Sequence, residues 1–251
     1  MGRLAVITGA GSGIGAACCG RLAREGYQVM AVDIDLVSAE RTAAQLDGSG
    51  HRAVECDVTK SKAVHDMFAD LAARTEHPEV LVTCAGGSPN THERRPPLWE
   101  IPSDEWQQII DLNLGGTFHC ISAFLKSRCA AGLSGGRIVT LSSIAARMGQ
   151  GVTGAAYSAA KAGILGLTRV AALEAASLGV SVNAVLPGPV DTPAFRRAND
   201  PAQYEAMLNR IPLRRVAMPD EIAAAVAYLV GDGSGIITGA SIDINGGMVM
   251  H

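Results

Sequence analysis

The stretch "RLAVITGAGSGIG" at residues 3–15 is the clearest indication of the fold class of this chain. Residues 3–8 form a short apolar run typical of a buried strand, and the glycines of "TGAGSGIG" at 8–15 then permit a tight turn. A helical pattern begins at about Gly13 and continues to Glu25. At the start of such a helix, the backbone N–H groups favour an anion such as a pyrophosphate. The stretch therefore predicts a strand, a phosphate-binding loop and a helix.

Short β-rich runs alternate with longer helical patterns along the rest of the chain. Six further runs predict strands, at residues 27–33, 51–57, 79–86, 136–143, 180–188 and 240–246. Helices are predicted between them, at 36–46 and 61–75 and, as two long helices, near 104–130 and 155–178. Strands separated by helices of this length form parallel sheets, and continuous apolar runs indicate strands covered on both faces. We therefore predict a single α/β domain over 1–251, with a doubly wound parallel sheet and helices on both faces.

Two irregular segments follow predicted strands, at 86–103 and 187–203. In an open α/β sheet, ligands bind beyond the carboxyl ends of the strands, so both segments are expected to border the site. The second segment and the short helices after it predict a substrate-covering region at 187–215.

Composition and charge argue against several classes of function. The 251 residues are 48% hydrophobic with a formal net charge of −3, and no basic run suggests nucleic acid or an anionic membrane as partner. No uncharged apolar segment is long enough to predict a membrane span. The six cysteines and six histidines show neither CxxC nor HExxH spacing, so no metal site is predicted. Such cysteines are typical of a reducing compartment, and we expect a cytoplasmic protein that acts on a small molecule.

Asp33 ends the second predicted strand, about 20 residues after the glycine loop. A carboxylate in this place accepts hydrogen bonds from both ribose hydroxyls of an adenosine and repels the 2′-phosphate of NADP. Ile34 and Asp35 follow it, and Ser12 in the loop is uncharged, so no basic side chain is placed for that phosphate. The pattern favours NAD(H) over NADP(H), although Asp33 alone also fits a solvated turn residue.

Tyr157 and Lys161, in "GAAYSAAKAG" (154–163), share one face of a predicted helix because they are four residues apart. Alone, such a pair is structural far more often than catalytic. Here it belongs to an ordered set: "TGAGSGIG", Asp57–Val58, Asn113 in "DLNLGG", Ser143 in "VTLSS", Tyr157 and Lys161, and Pro187–Gly188 with Thr192. The set spans essentially the whole chain, which resembles the short-chain dehydrogenase/reductase family. The resemblance implies a Rossmann-type fold and hydride transfer between NAD(P) and an alcohol or ketone.

The resemblance also implies a role for each matching position. The residues that it implies for binding the cofactor phosphates are Gly9, Ser12, Gly13, Ile14 and Gly15. Its contacts with the adenosine and along the cofactor are Asp33, Asp57, Val58, Ala85 and Gly86. Its nicotinamide-end contacts are Pro187, Gly188, Val190, Thr192, Tyr157 and Lys161. The catalytic set is Asn113, Ser143, Tyr157 and Lys161, and substrate contacts are expected from Ser143, Ala145, Gln150 and Tyr157.

Proton transfer at the substrate oxygen is the step that the protein must supply, because hydride transfer belongs to the cofactor. Lowering the pKa of a tyrosine from ~10 to ~7 requires roughly 4 kcal/mol. A unit charge about 4 Å away supplies on the order of 4 kcal/mol at an effective dielectric of ~20, so the Lys161 ammonium is sufficient. We therefore predict Tyr157 as general acid/base, with Ser143 hydrogen-bonded to the substrate oxygen. Asn113 either holds a water that extends the proton path from Lys161, or bonds backbone within a helix.

One position departs from the family pattern, because Cys84 stands where the family usually has Asn. The family Asn ties its strand to neighbouring ones through hydrogen bonds, and a thiol forms weaker ones. We expect an effect on local geometry and cofactor affinity rather than on the chemistry.

The substrate is the least specified feature. Further candidates for the pocket wall are Ser88, Arg147, Val152, Phe195 and Met248. Arg147, Arg196 and Arg197 are candidates for binding an acidic group, although each of them is more typical of a solvated surface arginine. A dehydrogenase of secondary alcohols, sugars, diols or hydroxyacids is the first expectation. The ending "INGGMVM" instead resembles NADP-dependent 3-oxoacyl-acyl-carrier-protein reductases, although Leu178 stands where these often have a basic residue. A dinucleotide-sensing regulator without turnover is a third alternative, and family members commonly form homo-tetramers.

Overall fold

A seven-stranded parallel sheet forms the centre of the computed structural model, which describes residues 3–88, 96–148 and 154–250. Its strands are β1 (Leu4–Thr8), β2 (Gln28–Asp33), β3 (Arg52–Glu55), β4 (Val80–Thr83), β5 (Arg137–Leu141), β6 (Ser181–Pro187) and β7 (Ser241–Ile244). They lie in the order β3-β2-β1-β4-β5-β6-β7, and every neighbouring pair is parallel. Each predicted strand is present, shortened at one or both ends, and the predicted Rossmann-type fold class is confirmed.

Helices cover both faces of this sheet. In the described part of the chain they are α1 (Gly13–Arg24), α2 (Leu36–Ala44), α3 (Ser61–Ala73), α4 (Ser103–Ile110), α5 (Gly116–Ala130), α6 (Ala155–Ala175), α7 (Pro193–Ala198), α8 (Pro201–Leu208) and α9 (Pro219–Val230). One face packs against α1 and α9, and the other packs against α3, α5 and α6.

The strand β1 shows why its sequence is a continuous apolar run. Successive side chains of a strand point to opposite faces of the sheet. Ala5 and Ile7 pack into the core on the α1 side, and Val6 between them packs into the core on the α3 side. All three side chains are fully buried, because both faces of β1 are covered.

The segment predicted as one long helix near 104–130 is divided in two. A π-helical turn, Asp111–Gly115, joins the end of α4 to the start of α5. Within it, Asn113 Nδ2 donates to the Ile109 carbonyl at 2.9 Å, and Thr117 Oγ1 donates to the Asn113 carbonyl at 2.7 Å. Side-chain donors thus bind backbone oxygens at the wider turn, a local feature that the hydrophobic pattern does not reveal. Turns of this kind are frequent at functional sites.

The order of the strands positions the site. From β1, the chain places β2 and β3 on one side and β4 to β7 on the other, so the direction of winding reverses between β1 and β4. Thr8 and Thr83, at the carboxyl ends of these two strands, are paired in register. Ligands bind at this kind of switch point in doubly wound sheets.

No helix in the ranges that the structure describes has the length and apolar character needed to cross a membrane.

Candidate active site

A cavity of about 850 Å³ lies at the carboxyl edge of the sheet. Its wall includes all sixteen residues for which we predicted cofactor contacts, from Gly9 in the first loop to Thr192 after β6. Ser143 and Ala145 also line it beside Tyr157 and Lys161, whereas Asn113 lies behind the wall. Gln150, a predicted substrate contact, and Val152, a candidate for the pocket wall, lie outside the described residues.

The glycine loop has no room for side chains at two of its positions. Gly9 has a φ of +65°, in the left-handed region, and a Cβ there would lie 2.7 Å from the Ala85 nitrogen. A Cβ on Gly15 would lie 2.1 Å from the Gly9 carbonyl oxygen, which is an overlap. The Ser12 hydroxyl, at the start of α1, is exposed and makes no capping hydrogen bond. The start of α1 therefore presents backbone donors and a free hydroxyl to the cavity, as the phosphates of a dinucleotide require.

Asp33 is held against this loop by two backbone donors. Its Oδ2 accepts from the Gly11 nitrogen at 2.8 Å, and its Oδ1 accepts from the Asp35 nitrogen at 3.1 Å. Each carboxylate oxygen keeps a further lone pair for another donor. Ile34, beside it in the cavity wall, is 66% exposed. The carboxylate is thus fixed in orientation and available to a pair of hydroxyl groups.

Asp57 and Val58 form the neighbouring wall at the end of β3. Asp57 Oδ1 accepts from the Thr59 nitrogen at 2.9 Å and from Thr59 Oγ1 at 2.7 Å. Val58 packs against Gly116 of α5, where an added Cβ would lie 2.7 Å from Val58 Cγ2. Both residues border the cavity beside Asp33, which is the adenosine side of the predicted site.

Tyr157 and Lys161 meet on α6 as their spacing predicts. Lys161 is 4% exposed, and its Nζ lies 5.5 Å from the centroid of the Tyr157 ring and donates to the Leu141 carbonyl at 2.8 Å. Burial lowers the pKa of Lys161 to about 8, partly opposed by Cys84. The charged form of Lys161 is thus less favoured than in water, and its ammonium faces the Tyr157 ring and the Leu141 carbonyl.

The pKa of Tyr157 differs from our expectation. Burial raises the pKa of its phenol, and a hydrogen bond from Ser143 lowers it without offsetting the burial. The predicted lowering of the Tyr157 pKa by Lys161 is absent in this structure. The interaction energy expected for a charge about 4 Å away did not include the desolvation of Tyr157 and Lys161.

The two serines at the end of β5 have separate roles. Ser142 is buried, and its hydroxyl donates to the Lys161 carbonyl at 2.8 Å, which ties β5 to α6. The Ser143 hydroxyl accepts from the Ala145 nitrogen at 3.2 Å and lines the cavity beside Tyr157. Both serines border the cavity, but the Ser142 hydroxyl is used by the Lys161 carbonyl, so Ser143 is the better placed to meet a substrate oxygen.

The segment after β6 closes the cavity from the opposite side. Gly188 donates from its nitrogen to the Ile244 carbonyl at 2.9 Å, and a Cβ there would lie 2.9 Å from the Asn245 Cα. Thr192 Oγ1 accepts from the Phe195 nitrogen at 3.1 Å and so caps α7. The Thr192 methyl group would lie 3.2 Å from a Cβ on Gly13. The start of α7 therefore rests against the glycine loop.

Comparison with known proteins agrees with this arrangement of residues. A family model described as enoyl-(acyl carrier protein) reductase matches residues 9–249. A (3R)-3-hydroxyacyl-CoA dehydrogenase of Canis lupus familiaris is 36% identical over 98% of this chain and 96% of its own length. The chain belongs to the short-chain dehydrogenase/reductase family. It is accordingly an oxidoreductase that acts on CH–OH groups, and the family implies an NAD(P) cofactor.

Two further relatives of this short-chain dehydrogenase/reductase extend the comparison. A cis-4-hydroxycyclohexanecarboxylate dehydrogenase of Sinomonas cyclohexanicum is 40% identical over 98% of this chain and 96% of its own length. Among solved structures, a candidate gluconate dehydrogenase from Agrobacterium tumefaciens superposes with a TM-score of 0.90 at 30% identity, over 98% of this chain and 95% of that one.

Asn113 of this short-chain dehydrogenase/reductase is occupied by backbone groups. Besides its bond to Ile109, its Nδ2 donates to the Gly87 carbonyl at 2.8 Å and its Oδ1 accepts from the Gly87 nitrogen at 3.0 Å. This is the second of the two roles left open by the sequence. A Cβ on Gly86 would lie 2.7 Å from Asn113 Oδ1 and 3.3 Å from Lys161 Nζ. Asn113 therefore holds the loop after β4 against Lys161, and a water bound to it stays a prediction.

The presence of Cys84 in place of the family Asn leaves β4 paired with β1. It is half-buried, lines the cavity and packs into the core that contains the buried Cys18. The Thr8 hydroxyl accepts from the Ala85 nitrogen at 3.2 Å, and Gly9 packs closely on the same backbone. The Thr8 hydroxyl and the Gly9 backbone thus hold the turn where the family Asn would bridge strands.

The predicted acid-binding arginines are mostly engaged elsewhere. Arg147 Nη1 donates to Asp243 at 2.7 Å, and Arg196 binds both oxygens of Asp191 at 2.6 and 2.7 Å. Arg197 is exposed and does not line the cavity. None of these three is part of the cavity wall, so their contacts do not support a role in binding an acidic group.

Several residues of the wall were missed by the sequence reasoning. They come from the π-helical turn after α4, the turn after β5, the α7–α8 segment and the residues just after α8: Leu112, Met148, Ala194, Ala198, Asn199, Gln203, Ala206, Met207 and Arg210. Ser88, Phe195 and Met248 were predicted to line the pocket, and they do. The missed residues belong to no motif, and only the loop boundary at 187–215 pointed to their neighbourhood.

Proposed function

We propose that this enzyme transfers a hydride between NAD(H) and a secondary alcohol or ketone, with Tyr157 as general acid/base. The observation that carries the proposal is the convergence of Tyr157, Ser143 and Lys161 on one cavity with the glycine loop and Asp33. A bound nicotinamide supplies the hydride acceptor or donor. The residues of this chain orient the substrate and move the proton.

The cofactor would lie along the switch point of the sheet. The glycine loop and the free Ser12 hydroxyl would bind its phosphates, Asp33 its adenine ribose, and the 187–192 segment its nicotinamide end. The fit is supported by the packing, because side chains at Gly9 or Gly15 would overlap neighbouring backbone and displace the loop that would hold the phosphates.

NAD(H) is favoured over NADP(H) by the surroundings of Asp33. A 2′-phosphate would meet a carboxylate whose oxygens already accept from Gly11 and Asp35. Ile34 follows it, and the nearby Arg41 donates to Ser38 Oγ at 3.2 Å without lining the cavity.

The proton step follows from the burial of Tyr157. Because burial raises its pKa, the phenol is protonated at neutral pH and donates to the oxygen of a bound ketone. Ser143 hydrogen-bonds the same oxygen. Lys161, with a pKa of about 8, resupplies the proton to the phenol. In the oxidative direction the phenol must first lose its proton, so alcohol oxidation accelerates at alkaline pH.

The substrate side of the cavity is mainly apolar, with Ile144, Ala145 and Met148 on one side and Phe195 and Met207 on the other. We propose that the 187–215 segment covers a substrate with a hydrocarbon body there. Two relatives are named for substrates of this kind, a hydroxyacyl-CoA and a hydroxycyclohexanecarboxylate. A small hydroxyacid or hydroxyacyl compound is therefore the first class to assay.

A homo-tetramer is proposed from the faces of two helices. Phe118 on α5 is 51% exposed, and Val170 and Leu173 on α6 are 52% and 80% exposed. These side chains would be buried between copies of the chain, and light scattering of the purified protein measures the assembly directly.

The experiment is a cofactor and substrate screen that follows nicotinamide absorbance. We expect consumption of NADH with ketones, and formation of NADH with the matching alcohols above neutral pH. A preference for NADPH would overturn the role of Asp33. Tight NADH binding with no turnover on a broad panel would favour a dinucleotide-sensing regulator.

A further inference from the structure

The part of the cavity formed by α7, α8 and the residues after α8 contains one unexpected charged group. Most of its wall is apolar, and its members are Ala194, Phe195, Ala198, Ala206, Met207 and Met248. The Asn199 side-chain amide already makes one hydrogen bond, because its Nδ2 donates to the Phe195 carbonyl at 2.8 Å. Arg210 is the basic side chain that joins this wall.

The backbone at Arg210 is held in place from both sides. Its nitrogen donates to the Met207 carbonyl at 2.9 Å. The next residue, Ile211, is 1% exposed, and a Cβ on Gly246 would lie 2.6 Å from its Cγ2. Leu213 donates from its nitrogen to the Gly246 carbonyl at 3.1 Å. The position of Arg210 at the cavity is therefore fixed by the docking of this segment on the C-terminal residues.

The neighbouring arginines are paired, and Arg210 is not. Arg214 Nη1 donates to Asn209 Oδ1 at 2.6 Å, and Arg215 binds both carboxylate oxygens of Glu221 at 2.6 Å. Within residues 3–88, 96–148 and 154–250, no side-chain hydrogen bond or ion pair of Arg210 is found. Its guanidinium is left with its donors free for a ligand.

The acidic residues of the cavity lie elsewhere in the fold. Asp33 and Asp57 line the wall at the ends of β2 and β3, on the adenosine side of the glycine loop. Arg210 lies on the opposite side, with the substrate-covering segment. Arg210 is an exposed residue of this wall, and an anion beside it would meet mainly apolar wall residues and no competing carboxylate in the wall nearby.

We propose that Arg210 binds an anionic group of the substrate, and that this group is a carboxylate carried on an apolar body. The planar guanidinium matches the two oxygens of a carboxylate, and a charge-assisted bond of this kind is stronger than a neutral one. The substrate is then a hydroxy acid whose alcohol carbon lies at Tyr157 and whose carboxylate lies at Arg210. This inference rests on the proposed function.

The test compares a carboxylate with its neutral ester in one variant and a matched control. The probes are cis-4-hydroxycyclohexanecarboxylate and its methyl ester, with NAD. In Arg210→Gln, the ratio of kcat/KM for the acid to that for the ester is expected to fall about 10- to 30-fold, mostly through KM. Arg197→Gln, an exposed arginine of α7 outside the wall, is expected to keep the ratio of the parent enzyme. An unchanged ratio in Arg210→Gln would overturn the proposal.

Two further arms separate the alternatives. If Arg210→Gln weakens turnover of a hydroxyacyl-CoA thioester but not of the free acid, the anion bound is a phosphate of the carrier and the carboxylate assignment is wrong. If the parent enzyme turns over neither probe, calorimetry measures the binding of the acid to the enzyme–NADH complex. A dissociation constant weakened about 10- to 30-fold by Arg210→Gln then supports the site although the proposed reaction fails. No binding of the acid to either protein overturns it.

Discussion

The buried Lys161 makes the stability of the protein depend on alkaline pH in a defined direction. Burial lowers its pKa from 10.5 to about 8. Below pH 8 the folded protein holds the ammonium in a desolvated place, and this cost is fully present. Above pH 8 the folded protein releases the proton, whereas the unfolded chain keeps it until about pH 10.5. The unfolded state then binds more protons, so this group makes the free energy of unfolding rise with pH.

The size of the effect follows from the two pKa values. Each pKa unit corresponds to about 1.4 kcal/mol, and titration of the lysine between pH 7.5 and 10 covers most of the interval. The contribution of Lys161 to the free energy of unfolding is expected to rise by about 2 kcal/mol over that range. Other titrating groups contribute to the absolute curve but largely cancel against a variant that lacks only this lysine.

Urea unfolding of the parent protein and of Lys161→Met at several pH values measures the difference. The parent-minus-variant free energy of unfolding should rise between pH 7.5 and 10. Lys126→Met removes an exposed lysine of α5 and should give a flat difference. A flat or falling difference for Lys161→Met would refute the assignment of a buried ammonium with a lowered pKa.

The remaining predictions concern the cofactor side of the cavity. Gly15→Ala places a Cβ 2.1 Å from the Gly9 carbonyl oxygen, so NADH affinity should fall by about tenfold or more and stability by on the order of 1–3 kcal/mol. Gly20→Ala, in the same helix with its nearest contact at 3.6 Å, should not destabilise, and equal losses in both variants, measured by calorimetry and urea unfolding, would contradict the cradle. Asp33→Ser combined with Ile34→Arg should raise the preference for NADP over NAD by about tenfold or more, and an unchanged ratio of kcat/KM values would remove Asp33 from cofactor selection.

Much of the fold could be predicted from the sequence because its signals are local. The apolar run of β1 and the glycine loop are contiguous, and the loop leads directly into α1. The division of the 104–130 segment could not be predicted, because the π-helical turn contains Asn113, whose side chain bonds Gly87 in a distant part of the chain. A hydrophobic pattern contains no signal for that contact.

The candidate site likewise has features that the sequence predicts and features that it does not. Motif positions such as Tyr157 and Asp33 line the cavity as the family order predicts. The pKa of Tyr157 could not be predicted from its spacing to Lys161, since burial is a property of the packed structure and here it outweighs the hydrogen bond from Ser143. The contact of Arg147 with Asp243 could not be predicted, because the two residues are far apart in the sequence and close only in the fold.

Replacing the phenol of Tyr157 tests the central claim most directly. In Tyr157→Phe, kcat/KM for NADH-dependent ketone reduction should fall about 10²- to 10⁴-fold, the usual contribution of a general acid, while NADH affinity by calorimetry changes little. Tyr228→Phe, a half-exposed tyrosine on α9, should retain parental activity. Activity of Tyr157→Phe within a few-fold of the parent enzyme would contradict the account.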